Sequence, residues 1–172
     1  MAGGLGSRLK PLTDDCPKPM LTIGNRPILE KILENFIDQG FHRFFISVNY
    51  MAEKIKSHFG DGSQWGVTIR YLEESQRLGT AGALKLLDES PVSPIFVMNG
   101  DVLSKVNFES MLDFHLTNQY VATMGVRQYS QIIPYGVVEI QGSNLVRISE
   151  KPEYKFFVNS GIYVLSPEVI DK

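Results

Sequence analysis

Residues 1–20 read MAGGLGSRLKPLTDDCPKPM. Gly3, Gly4 and Gly6 crowd its start, Ser7 and Arg8 follow, and the stretch ends in Pro17-Lys18-Pro19. Glycine has no side chain to block an approach, so such a loop can bring backbone N–H groups close to an anion. Arg8 offers a planar fork suited to phosphate oxygens. Lys18 is a compact point charge whose backbone entry and exit are stiffened by proline. The stretch therefore reads as a cradle for a phosphate-bearing ligand. In a parallel α/β protein a buried strand leads into such a loop, and here only Met1-Ala2 stand in that place.

Two familiar glycine loops do not fit. The dinucleotide fingerprint fails at Leu9, where a third small residue belongs, and the second strand runs out through Val48-Asn49-Tyr50 without the expected acid. A Walker loop needs glycine directly before Lys-Ser or Lys-Thr, and no such triplet occurs.

Downstream of the loop, Ile28, Leu29, Ile32, Leu33, Phe36 and Ile37 recur at helical spacing between Pro27 and Gly40. RFFISVN, residues 43–49, reads as a buried strand, followed by a helix over 51–59. VTIRYL, residues 67–72, is a strand, and LGTAGALKLL leads into a helix over 80–88, with Thr80 as its cap. Trp65 reads as packing against the loop beside it. PIFVMNG, residues 94–100, is a strand that delivers Asp101 at its carboxyl end, where ligands of open α/β sheets bind. A helix over 108–116 and a strand over 120–126 complete a strand–helix alternation that predicts parallel βαβ units. The pattern then changes. Short strands at 137–140 and 145–149 flank a hairpin-like turn, a strand covers 156–165, and Ser166-Pro167-Glu168 starts a helix. The fold class is α/β: a Rossmann-like three-layer α/β/α domain with a mostly parallel central sheet, expected to be short at both ends. One domain is expected over 1–172, with a nucleotide-binding half (1–126) and an incomplete sugar-binding half (127–172).

The chain has 172 residues and a net charge of −2, so it holds one core and no broad basic surface for nucleic acid. No apolar run approaches membrane-spanning length, and no signal peptide is expected before the glycine loop. The single cysteine, Cys16, excludes an internal disulfide, fits a reducing cytoplasm and has no nearby partner for catalysis. His42, His58 and His115 lack metal-ligand spacing.

GGLGSRLKPLT with PKPM, LGTAGAL (78–84), NGD (99–101), EKP (150–152) and NSGIY (159–163) occur in one order along the chain. Together they resemble the sugar-1-phosphate nucleotidylyltransferases, the nucleotide-sugar pyrophosphorylases, over nearly the whole length. The resemblance implies a nucleotide-diphospho-sugar transferase fold. It also implies a reaction in which a sugar 1-phosphate attacks the α-phosphorus of a nucleoside triphosphate and releases pyrophosphate. Arg8 and Lys18 would be the catalytic cations. Gly3, Gly4, Gly6, Gly79 and Thr80 would border the nucleotide, and Asp101 would hold Mg²⁺. Gly136, Glu150, Lys151, Asn159 and Gly161 would bind the sugar phosphate. The family's second metal-binding aspartate is expected beyond residue 172, because Asp171 sits in the starting helix. The substrates are a nucleoside triphosphate and a sugar 1-phosphate, with no nucleic acid or membrane partner, and a homo-oligomer is compatible. The loop and LGTAGAL are most similar to guanylyl-transferring, mannose-1-phosphate guanylyltransferase-like members; uridylyl and thymidylyl members have similar loops. A non-catalytic regulatory relative that binds nucleotide sugar is the alternative from another class. A nicotinamide oxidoreductase is disfavoured by Leu9 and the missing strand-end acid.

Overall fold

The computed structural model describes every residue except Leu5, Ser7, Arg8, Arg77, Thr80, Asp171 and Lys172. Two compact units emerge, one of Met1–Thr123 with Gly161–Lys172 and one of Met124–Ser160.

In the first unit, strand β3 (Arg43–Val48) pairs in parallel with β4 (Thr68–Glu73), from Arg43 opposite Thr68 to Val48 opposite Glu73. A parallel pair needs a crossover, and helix α2 (Ala52–Phe59) supplies it. Strand β5 (Ile95–Met98) pairs antiparallel with the end of β9 (Glu153–Leu165), Met98 facing Ile162. The backbone of Met1-Ala2 lies between these pairs. Ala2 N–H donates to Ser47 O (2.9 Å), the Met1 ammonium to Met98 O (2.7 Å), and Gly100 N–H to Met1 O (2.7 Å). The last two bonds straddle residue 99, as a parallel ladder requires. Met1-Ala2 thus takes the place where the sequence asks for a strand ahead of the glycine loop.

Helix α1 (Ile28–Asp38) follows a short antiparallel pair, β1 (Thr22–Ile23) with β2 (Arg26–Pro27). Its apolar positions divide between two packed clusters. Leu29 and Leu33 join Ile46, Val48, Ile55 and Phe59. Ile28, Ile32 and Phe36 join Met98, Phe108 and Ile162. Phe36 stacks on Phe108 with ring centroids 3.9 Å apart. Gln39, just past the helix, accepts from Phe108 N–H through Oε1 (2.6 Å) and so fixes the entry to helix α3 (Phe108–Thr117). Asn107 caps α3, its Oδ1 accepting from Ser110 N–H at 2.7 Å. Asn107→Ala is expected to cost about 1 kcal/mol of unfolding free energy, read from urea unfolding.

Three details depart from the sequence reading. β3 is buried only at its carboxyl-terminal half, Ile46–Val48, while Arg43 and Phe45 are exposed. Strand side chains alternate between faces, and the apolar clusters take Phe44, Ile46 and Val48 from one of them. The helix expected over 80–88 is a 3-10 turn, Gly82–Leu86, and the chain is already extended at Leu87. Glycine is a poor helix former, and a Cβ on Gly82 would stand 2.6 Å from Leu78 Cβ. The β1–β2 pair is absent from the sequence reading altogether. Trp65 packs as expected, tilted over Phe59 at 5.4 Å.

In the second unit, β7 (Gly136–Gln141) and β8 (Asn144–Glu150) form an antiparallel hairpin, with an irregularity between Glu139 and Ile140. Gly142 turns the chain at φ +61°. Ser160 Oγ, near the middle of β9, donates to Gly125 O on β6 (Ala122–Ile132) at 2.7 Å. Helix α4 (Pro167–Ile170) follows β9 and belongs to the first unit. No helix of the described residues is long and apolar enough to cross a membrane.

Candidate functional site

In the first unit the candidate residues collect at the carboxyl ends of β3, β4 and β5. The glycine loop leaves the sheet after Ala2. A Cβ on Gly3 would stand 3.1 Å from Glu74 Oε1 and 3.3 Å from Asn49 Cβ, so the loop passes directly over the ends of β3 and β4. Gly6 has φ +62°, and a Cβ there would meet Thr13 Cγ2 at 2.8 Å and Lys18 Cβ at 3.2 Å. Both its conformation and its surroundings require glycine. Gly4 is exposed, with open space where its side chain would be.

Lys18 opens a 3-10 turn, Lys18–Met20, between two buried prolines. Its Nζ donates to Asp101 Oδ2 across 83 residues of sequence. The two side chains are 35% and 28% exposed, so the pair is open to an incoming anion. Asp101 follows β5 through Asn99-Gly100. A Cβ on Gly100 would meet Met1 O at 2.8 Å, which locks this strand end against Met1-Ala2. Gly161 has φ +73° and lies against the Asn99 side chain, a Cβ there being 2.7 Å from Nδ2. Gly161→Ala should cost about 1–2 kcal/mol, from left-handed strain and this overlap, in a urea titration. The Leu78 N–H donates to Glu74 Oε2 (3.2 Å), which ties the segment leading to Gly79 to the same corner as Gly3. Gly79 is itself left-handed, at φ +75°.

The Met1 ammonium is buried in this region. Desolvation lowers its pKa from 8.0 to about 6, against the pull of the Asp101 and Glu74 carboxylates. Arg8 and Thr80 lie outside the described residues.

The second unit gathers three candidates at one end of its hairpin. Gly136 pairs with Glu150, and a Cβ on Gly136 would stand 3.3 Å from Glu150 Oε2. Lys151 is left-handed (φ +44°), with its N–H donating to Tyr135 O at 3.2 Å. Asn159 lies on β9 in this unit, whereas Gly161 belongs to the first.

Several residues of the site escaped the sequence reading. Thr13 is buried and its Oγ1 donates to Gly6 O (2.9 Å), which joins the two ends of the opening loop. Asn49 and Glu74 hold each other, through Asn49 Nδ2 and Glu74 O, at the ends of the parallel pair. Asn49 closes one predicted strand and Glu74 stands two residues beyond another, and those positions were the available signal. The Cys16 thiol faces Pro17 O at 3.7 Å. His115 is buried with Nδ1 on Thr123 Oγ1 and Nε2 on Ser166 Oγ, a structural arrangement. Among the described residues, no group of three His, Cys, Asp or Glu side chains could hold a metal ion.

The nucleotidyl transferase family model matches residues 1–172. The chain belongs to the nucleotidyl transferase family. Mannose-1-phosphate guanyltransferase of Saccharomyces cerevisiae is 37% identical over 185 aligned residues, covering 99% of this chain and 50% of that protein. Mannose-1-phosphate guanylyltransferase catalytic subunit beta of Xenopus tropicalis is 34% identical, covering 100% of this chain and 50% of the relative. The chain thus spans about half the length of these curated relatives. HddC from Yersinia pseudotuberculosis, in two crystal structures of which one is complexed with GMP-PN, superposes with a TM-score of 0.73. Its identities are 29% and 28%, over 99% of this chain and 76% of HddC.

Proposed function

We propose that the protein carrying this chain transfers a nucleotidyl group, with GTP favoured, from a nucleoside triphosphate to a sugar 1-phosphate. A phosphate oxygen of the sugar 1-phosphate forms a bond to the α-phosphorus, and the bond from that phosphorus to the bridging oxygen breaks. The electron pair leaves with pyrophosphate. The nucleophile is already an anion, so positioning and charge neutralisation carry the catalysis. The observation that carries this reading is the Lys18–Asp101 pair beside the glycine loop. It joins a cation for phosphate oxygens to a carboxylate able to hold Mg²⁺. Mg²⁺ takes most of its ligands from water and substrate phosphates and needs only one or two protein carboxylates, of which Asp101 would be one. When bound, the ion would neutralise triphosphate charge. Arg8 would act on the departing pyrophosphate, and Thr80 with Gly79 would border the base.

The guanine preference is supported by the names of the yeast and frog relatives and by the GMP-PN complex of HddC. The same names make mannose 1-phosphate the first sugar to test. Glu150, Lys151, Gly136, Asn159 and Gly161 would receive it. The test is pyrophosphate release by the full-length gene product with GTP, UTP, CTP, ATP and dTTP against a panel of sugar 1-phosphates, with and without Mg²⁺. Release that is fastest with GTP and depends on Mg²⁺ is expected. No release with any pair would favour a regulatory nucleotide-sugar-binding role.

A further inference from the structure

Lys18 is held from below by two buried prolines, but its place along the chain is set by the segment before it, residues 9–16. That segment runs over the surface, with Leu12, Asp14 and Asp15 exposed. Three consecutive residues tie it down. Thr13 bonds to the glycine loop through its hydroxyl. Asp14 O accepts from the Tyr50 hydroxyl at 3.1 Å, and Asp15 O accepts from Lys54 Nζ. Tyr50 and Lys54 stand four residues apart where β3 turns into α2. Between them, Met51 is left-handed, at φ 51° and ψ 40°, a conformation that residues with side chains rarely adopt. The fold thus keeps a strained residue at the corner that aims both side chains at the segment. The bonds go to backbone carbonyls, so they fix the path of the chain and leave the aspartate side chains out of it.

We propose that Tyr50 and Lys54 form a clasp that positions residues 13–18, and with them the Lys18 ammonium, for the reacting phosphates. They are positioning residues and touch no substrate. The clasp rests on the nucleotidyl-transfer reading for its consequence in turnover, and on the geometry alone for its effect on the segment. A small displacement of a catalytic group costs large factors in rate, so the clasp acts on kcat.

The test compares wild type with Tyr50→Phe, Lys54→Met, the double variant and Lys54→Arg in the full-length protein. Two readouts are taken: pyrophosphate release, and the rate at which iodoacetamide alkylates Cys16, followed by peptide mass mapping. The double variant should lose roughly ten- to a hundredfold in kcat, with KM for the sugar 1-phosphate within about twofold. Cys16 alkylation should speed by about threefold or more, as expected for local loosening of the segment. Lys54→Arg should restore both readouts, because a guanidinium still donates to the carbonyl. An unchanged alkylation rate overturns the clasp, whatever kcat does. Faster alkylation with kcat unchanged overturns its role in positioning Lys18. Faster alkylation in a protein whose wild type releases no pyrophosphate upholds the clasp and overturns the transfer reaction. Should the double variant fail to fold, Tyr50→Phe alone is read by the same criteria.

Discussion

Lys18→Met is expected to lower kcat/KM for pyrophosphate release by about a hundred- to a thousandfold, the usual loss when one group aimed at developing charge is removed. Two effects add. The phosphates lose a cation whose approach is stiffened by Pro17 and Pro19, and Asp101 is left without its partner. An incoming triphosphate would then meet an unshielded carboxylate. Folding stability should hardly move, because both side chains are about one-third exposed and such pairs contribute little net free energy. A variant that unfolds in urea like wild type but turns over slowly is therefore the expected pattern. Lys18→Arg keeps the charge on a bulkier fork and should retain part of the rate. A rate within threefold of wild type for Lys18→Met would remove the lysine from the reaction.

The second large effect concerns the amino group of Met1 in the 172-residue chain. In the unfolded chain it titrates near 8.0; in the folded chain burial holds it at about 6. Between these values the unfolded chain binds a proton that the folded chain does not. Stability therefore rises with pH across the window, is complete above 8 and is lost as the pH falls through 6. A shift of this size corresponds to about 3 kcal/mol. Urea unfolding at pH 5.5 and 8.5 measures the difference. The same chain with one residue added before Met1 carries a neutral amide at that point and isolates the contribution. An equal pH dependence for both chains would show that the amine is solvated.

Much of this molecule was legible in its sequence, because its signals are local. The helical spacing from Ile28 to Phe36 sets α1, and the short apolar runs at 43–49 and 94–100 become β3 and β5. Asp101 stands at a strand end, as read. What stayed hidden depends on partners distant along the chain. Lys18 and Asp101 each read as functional, but nothing local says that they bond to each other. The return of β9 alongside β5, antiparallel, is likewise a matter of pairing between segments more than sixty residues apart. Thr13 has no role assigned from the sequence; its burial goes with the close approach of Gly6. The second unit was harder still. Most of its strand residues are exposed on both faces, so the alternation that marks a half-buried strand is weak from 124 to 158. The strand bounds there run further than the apolar residues suggested, β6 to Ile132 and β9 from Glu153.

Helix α1 has a mechanical implication. Because one helix supplies residues to both apolar clusters, neither cluster can melt and leave the other intact. Loss of α1 strips the support beneath β3 and beneath β5 together. The first unit should accordingly open in a single step. Amide protons of Ile46 and Val97 would then exchange with solvent at matching rates, although they belong to different strand pairs.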